Sequence, residues 1–369
     1  MTGENSGEKC GAGLVREFKK KYPQTEFFGV GGSHMEEAGV ELLYSIQDLS
    51  FVGIFEILSH IPRLKNILGH IKREVEKRKP AAAVLIDSPD FNLRLAKSIK
   101  KLGIPVLYYI SPTVWAWRKS RLKTIKKYVD KMLLIFPFEE KIYTQHRIPA
   151  TYVGHPLLER MNISLSREDF IQKYDLSPHK KTICLLPGSR QSEINHHMPI
   201  LLPAIKRIEE EEETQHVLPL AENLNAEELR QFFKAENDRI KILTEDRMEG
   251  MTHSDLILSS CGTANLEAAL LGTPFIAFYR ISPLTYRFGL PFVHTRTYSI
   301  VNILAGSKIV PELIQREFTP DNLVNETRKI LHSKDLRARM KEIFQEIRSS
   351  LGERKASVNA ALELEKLLS

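Results

Sequence analysis

Four places in the chain gather side chains that could do chemistry. Asp87-Ser88-Pro89-Asp90-Phe91-Asn92 sets two carboxylates around a proline that fixes the turn between them. A positioned carboxylate can take the proton of a hydroxyl nucleophile, worth roughly 10²–10⁴-fold in rate, although an Asp here can equally cap the next helix. Pro187-Gly188-Ser189-Arg190-Gln191-Ser192-Glu193 opens a helix whose N–H groups, with Arg190 beside them, suit a phosphate; no Gly-Lys-Ser/Thr follows, so it is not a Walker loop. Ser259-Ser260-Cys261-Gly262-Thr263-Ala264-Asn265-Leu266-Glu267 starts another helix at which a diphosphate could bind, with Glu267 a turn further on, within reach of sugar hydroxyls. An ordinary capped helix would read the same way. Ile110-Ser111-Pro112-Thr113-Val114-Trp115-Ala116-Trp117-Arg118 holds both tryptophans and opens the basic stretch Arg118, Lys119, Arg121, Lys123, Lys126, Lys127, Lys131. Rings beside cations suit a sugar phosphate, and Trp is also a common core residue.

Each of these places follows an apolar run of strand length: Ala82–Ile86, Thr182–Leu186, Leu256–Leu258 and Pro105–Ile110. Similar runs at Glu26–Val30, Lys131–Phe136, His216–Leu220, Ile240–Leu243 and Pro274–Phe278 alternate with helical stretches. That alternation predicts an α/β fold with doubly wound parallel sheets, in which ligands sit outside the carboxyl ends of the strands. The polar patch Asp175–Lys181 predicts a linker, dividing the chain into domains 1–176 and 177–335, with a charged amphipathic helix pair over 336–369. The glycine-rich stretch Gly3–Gly13 resembles a strand-to-helix loop with no strand ahead of it, so the first strand of the N-terminal sheet is expected to be missing and the chain to start late.

Composition narrows the class. With 42% hydrophobic and 27% charged residues, the chain of 369 residues can bury a core and is neither disordered nor fibrous. Its three cysteines, Cys10, Cys184 and Cys261, form no Cys-x-x-Cys pair, which argues against a disulfide framework and a zinc site and for a reducing, cytoplasmic compartment. Neither Asp-x-Asp nor His-Glu-x-x-His occurs, so no metal is expected. No apolar run approaches the 18 or so residues of a spanning helix. Residues 1–160 carry 26 Lys and Arg against 17 Asp and Glu, or +9, whereas the remainder carries −2. A basic front half suits phosphate or an anionic membrane; nucleic acid is not expected without a recognition motif. Phe55, Leu58, Ile61 and Leu64, widened by Ile54 and Ile57, form an apolar helical stripe that reads by default as a core face. Pro62 is expected to break an interior helix, and basic residues flank the stripe, so it also suits an interfacial membrane contact.

Taken in order, Gly3–Glu8, Phe28-Gly29-Val30-Gly31-Gly32, Ile86–Asn92, Ser111–Arg118, Val153-Gly154-His155-Pro156, Leu185–Arg190 and Ser260–Glu267 resemble the lipid-A-disaccharide synthase family over nearly the whole chain. The resemblance implies a GT-B glycosyltransferase: two Rossmann-like domains facing a cleft, with no cofactor and no metal. It implies inverting transfer of 2,3-diacylglucosamine from its UDP donor to 2,3-diacylglucosamine 1-phosphate, giving the β-1,6-linked disaccharide 1-phosphate and UDP, peripherally at the inner face of the inner membrane. Asp87 carries over as the favoured base, with Asp90 and Glu4 as the other candidates. Gly188, Ser189, Arg190, Glu193, Gly262, Thr263, Asn265 and Glu267 would bind the donor. Ser6, Gly7, Asn92, Ser111, Trp115, Trp117 and Arg118 would bind the acceptor, and Phe55, Ile57, Leu58, Ile61 and Leu64 would touch the membrane. Two other readings stay open: a GT-B enzyme acting on another UDP-sugar, such as a peptidoglycan-type transferase or an epimerase, and a non-catalytic lipid-binding relative. A homo-oligomer is compatible with either.

Overall fold

The computed structural model describes residues 1–3, 5–48, 54–115, 118–221, 224–233, 240–282, 286–287 and 297–369; the side chains of Asn5 and of residues 54–61 lie outside the description. The chain forms two compact units, one from Met1–Glu159 with Leu351–Ser369, the other from Arg160–Leu290 with Thr295–Ser350.

Six strands build the second unit: β7 (Lys181–Leu186), β8 (Thr214–Pro219), β9 (Ile240–Leu243), β10 (Leu256–Ser260), β11 (Phe275–Tyr279) and β12 (Glu312–Ile314). They are parallel and lie in the order β9-β8-β7-β10-β11-β12. Ile183, Cys184, Leu185, Ile257, Leu258, Phe275 and Ile276 are fully buried, as strands covered on both faces require. Strand order reverses between β7 and β10, and a crevice opens at such a switch point. The two phosphate-type loops read from the sequence leave the ends of those two strands.

The first unit repeats the plan. β3 (Ala83–Ile86), β4 (Val106–Tyr109), β5 (Lys131–Leu134) and β6 (Ala150–Tyr152) form one parallel sheet, and β1 (Phe27–Gly31) pairs with β2 (Val40–Ser45) in another. Met1 and Thr2 join the two sheets. Thr2 N donates to Val30 O at 3.1 Å, Ile86 N to Met1 O at 2.8 Å, and the Met1 amino group to Val84 O at 2.9 Å. Two residues thus stand in the place of the strand expected to be missing, and the order becomes β2-β1-(Met1, Thr2)-β3-β4-β5-β6, with its switch point beside Asp87. Beyond that short ladder the same region holds a cavity of about 700 Å³, whose lining includes Phe28, Gly29, Val84, Leu95 and Ile99.

Helices close the first unit. Asn5–Lys21 lies directly on β3, which its glycines allow: a Cβ on Gly7 would stand 2.4 Å from Thr2 Oγ1, and one on Gly11 2.9 Å from Ile86 Cδ1. Ala356–Leu368 packs on Asn5–Lys21, with Ala360, Ala361 and Leu364 sharing a core with Ala12, Leu14 and Val15. Asn359 Nδ2 donates to Val153 O at 2.9 Å, and Lys131 pairs with Glu363 at 3.0 Å. The expected break at Pro62 does not occur, because Ile54–Arg78 is one helix. Pro62 is exposed, so its ring avoids the core and the loss is one backbone bond, while Ile67, Ile71 and Val75 anchor the downstream turns.

Candidate active site

In the first unit, backbone strain collects at the carboxyl ends of β3 and β4. Asp87 and Ser88 take left-handed φ values of 50° and 44°, and Ile110, a β-branched residue, takes 69°. Such conformations cost on the order of 1–3 kcal/mol each and persist where the surroundings enforce them. Here the enforcing bonds are visible. Asn92, 1% exposed, donates Nδ2 to Ile86 O at 3.0 Å and to Asp87 O at 2.8 Å, while Tyr108 Oη donates to Asp87 O at 2.6 Å. Asp90, three residues on, is held differently: Arg118 Nη1 at 2.9 Å and Arg121 Nη2 at 2.8 Å share its Oδ1. Arg118 is itself left-handed, φ 51°.

The aromatic motif is anchored from below. Trp115 Nε1 donates to Glu139 Oε1 at 3.3 Å, and its ring meets Phe138 edge to face at 5.5 Å. Ser111 Oγ, buried, is 2.7 Å from Tyr143 Oη. Glu139 is 1% exposed and takes a further bond from Phe136 N at 3.3 Å. Burial pushes its carboxyl up to about 7, against the pull of bonds from Ser111, Phe136 and Trp115. Ser6 is exposed on the first turn of its helix, and Gly7 is buried against Thr2. Glu4, Trp117 and the side chains of Phe55, Ile57, Leu58 and Ile61 lie outside the described residues; Leu64 is half-buried.

In the second unit the loop after β7 is built around Glu193. Ser189 N donates to Glu193 Oε2 at 2.9 Å, Tyr279 Oη donates to Oε1 at 3.3 Å, and Arg190 pairs with Oε1 at 3.6 Å. Gly188 has φ +141°, and a Cβ there would lie 2.6 Å from Glu193, so only glycine fits. His197 ties this loop to the end of β11: Nδ1 donates to Pro187 O at 2.5 Å, and Nε2 accepts from Arg280 N at 3.0 Å. Burial lowers its pKa, consistent with a neutral ring. After β10, Asn265 repeats the role of Asn92: fully buried, it donates to Ser259 Oγ at 2.9 Å and Ser260 O at 3.0 Å. Gly262 and Thr263 are exposed at the helix start, with open space where a Gly262 Cβ would stand, and Glu267 pairs with Arg247. Among the described residues no three His, Cys, Asp or Glu side chains group as a metal site.

A family model described as "Lipid-A-disaccharide synthetase" matches residues 1–365. The chain belongs to the lipid-A-disaccharide synthase family. The family's curated member from Myxococcus xanthus is 40% identical over 370 residues, covering 100% of this chain and 96% of that one. The lipid-A-disaccharide synthase of Solibacter usitatus is 36% identical over 369 residues, covering 99% and 96%. Lipid-A-disaccharide synthases are glycosyltransferases, and the fold is GT-B. It is similar to that of a Methanocaldococcus jannaschii UDP-GlcNAc 2-epimerase solved with UDP-GlcNAc and UDP (TM-score 0.61, 13% identity, 97% of each chain). MurG of Acinetobacter baumannii is similar too (TM-score 0.56, 13% identity, 98% of this chain and 93% of that one). Four residues that support these turns went unread in the sequence: Tyr108, Glu139 and Tyr143 in the first unit and Arg247 in the second. Glu139 was within reach, because it follows the apolar run that begins at Lys131 as Asp87 follows its own.

Proposed function

We propose that the protein transfers 2,3-diacylglucosamine from its UDP donor to the 6-hydroxyl of 2,3-diacylglucosamine 1-phosphate, with inversion and without a metal. As the acceptor oxygen bonds to the anomeric carbon, its proton passes to the Asp87 carboxylate, while the bond to UDP breaks and UDP leaves with the electron pair. The observation that carries the reading is the strained, doubly clamped turn at Asp87, at the end of a central strand beside a switch point. Asp90 is the weaker candidate because two guanidinium groups already hold it. In the second unit, the helix starts after Gly188 and Gly262, with Arg190, would hold the diphosphate and stabilise the charge that develops on it.

Asp87→Asn tests this: kcat should fall by roughly 10²–10⁴-fold with donor KM little changed. Near-normal turnover would move the base to Asp90 or Glu4. Transfer should persist in excess EDTA; loss that Mg²⁺ restores would defeat the metal-free reading.

Both substrates carry acyl chains, so the enzyme must work at a bilayer surface, here the cytoplasmic face of the inner membrane. No described helix is long and apolar enough to cross one. Peripheral attachment needs an apolar insertion and cationic attraction together. Residues 51–68 and the +9 of residues 1–160 would supply them. Leu58→Ser with Ile61→Ser should weaken sedimentation with anionic liposomes in low salt. If the pair unfolds the chain and the wild type ignores liposomes, the stripe is core.

A further inference from the structure

The first unit carries a second cavity that the proton-transfer chemistry does not use. It measures about 910 Å³ and lies between the exposed face of the helix Pro89–Lys101 and the segment from Arg118 to Tyr128. Five cations line it, Arg94, Lys97, Arg118, Lys119 and Arg121, against one carboxylate, Asp90. The set is partly prearranged. Arg121 has a side chain only 10% exposed, yet it reaches Asp90, whose side chain is 69% exposed, so a nearly buried guanidinium is aimed at open solvent. Arg118 is fixed from the other side by the same oxygen and by its left-handed backbone. Arg94 and Lys97 stand one turn apart on the helix and, like Lys119, are exposed and make no ion pair among the described residues. The hydroxyls of Ser120, Thr124 and Tyr128 complete the lining.

An excess of cations held around a single carboxylate calls for a small, highly charged anion. A phosphomonoester carries about −1.5 to −2 at pH 7 and three acceptor oxygens, and guanidinium groups meet such oxygens two at a time. We propose that this pocket binds the phosphomonoester of the acceptor sugar, so that Arg94, Lys97, Lys119 and Arg121 select a phosphorylated acceptor. The inference rests on the transfer reaction proposed above, in which the acceptor presents its hydroxyl at one end of the sugar and its phosphate at the other. Base and phosphate site must then be neighbours that do not coincide. Asp87 and the pocket wall at Asp90 are separated by the two residues of one turn. Asp90, on this view, spaces the two arginines in the empty site.

The test uses Arg94→Gln, Lys97→Gln and Lys119→Gln together, all at exposed positions where folding should survive, which a thermal melt would check. With both substrates in neutral detergent micelles, acceptor KM should rise at least tenfold, while donor KM stays within twofold. Binding is read separately by titrating glucosamine 1-phosphate, with glucosamine as the uncharged control. Wild type should bind only the phosphate, in competition with inorganic phosphate, and the triple variant should bind neither. An unchanged acceptor KM and unchanged titration would overturn the proposal. So would a variant that loses anionic vesicles but keeps its micellar KM, which would give these cations to lipid headgroups. A wild type that transfers nothing yet binds glucosamine 1-phosphate here would defeat the proposed reaction and leave the pocket standing.

Discussion

Tyr108 donates its hydroxyl to the main-chain carbonyl of Asp87 at 2.6 Å, reaching across from the strand beside the one that Asp87 ends. Burial, and after it the charge of Asp87, pushes the phenol well above its ordinary pKa, so the donor keeps its proton throughout the working range. The carboxylate proposed as base is therefore placed through its backbone, by groups that need not touch substrate.

Tyr108→Phe isolates that contribution. One neutral hydrogen bond is lost, so stability should drop by about 1 kcal/mol. If the bond orients the base, kcat should fall about tenfold, the equivalent of about 1.4 kcal/mol in the barrier, with both KM values unchanged. Denaturant melts and steady-state kinetics on one preparation separate the two effects. An unaltered kcat would leave the placing of Asp87 to Asn92 alone.

Asn92 and Asn265 should behave as a matched pair. Replacing either by Ala strips buried backbone or hydroxyl oxygens of a donor, at about 1–3 kcal/mol for each group left bare, and a total loss of about 2–4 kcal/mol is expected. Asn92→Asp should be worse than Asn92→Ala, since it sets a carboxylate against two carbonyl oxygens. Urea denaturation ranks them, and an Asp variant as stable as wild type would mean that the clamp is unimportant.

Glu139 makes stability depend on pH. Its carboxyl, near 7 in the folded chain against 4.5 ordinarily, keeps a proton that the unfolded chain gives up. Stability should therefore fall as pH rises from about 4.5 to about 7, by about 3 kcal/mol in all, and level off above. Glu139→Gln should lack that slope, so its stability relative to wild type should be greater at pH 8 than at pH 5. Equal differences at both pH values would mean that the carboxyl titrates normally.

Gly188→Ala should damage the donor side alone. The new methyl group would meet Glu193 at 2.6 Å on a backbone at φ +141°. The strain, about 1–3 kcal/mol, falls on the loop held by Ser189 and Glu193. Donor KM should rise about tenfold while acceptor KM stays put, measured by varying each substrate in turn.

Most of the nine apolar runs legible as strands are central parallel strands, which are buried on both faces and read as continuous hydrophobic stretches; Ile240–Leu243, an edge strand, was legible from its isoleucines and leucine alone. The strands that escaped lie at sheet edges: β6 and β12 have three residues each, and β2 carries Glu41 in mid-run. Site residues followed the same logic, since motifs at strand ends announce themselves while supports from neighbouring elements do not. Tyr108 looked like any core aromatic of β4, and only the fold puts its hydroxyl under Asp87. Asn92 and Asn265 were read from the sequence as acceptor- and donor-binding candidates because each lies in a motif that follows a strand. What spacing could not show is that both amides face main-chain and hydroxyl oxygens of the turn itself.

The packing of Ala356–Leu368 against Asn5–Lys21 sets an order of events during synthesis. Ala12, Leu14 and Val15 leave the ribosome first, but the residues that cover them, Ala360, Ala361 and Leu364, are added more than 300 positions later. The second unit has its whole sequence before the first does. A nascent chain must carry an uncovered apolar helix face until Ala356–Leu368 has been made, the kind of surface on which chaperones act and from which aggregation begins. Slowing elongation between these two helices should lower the soluble yield of this protein more than slowing it after the second of them.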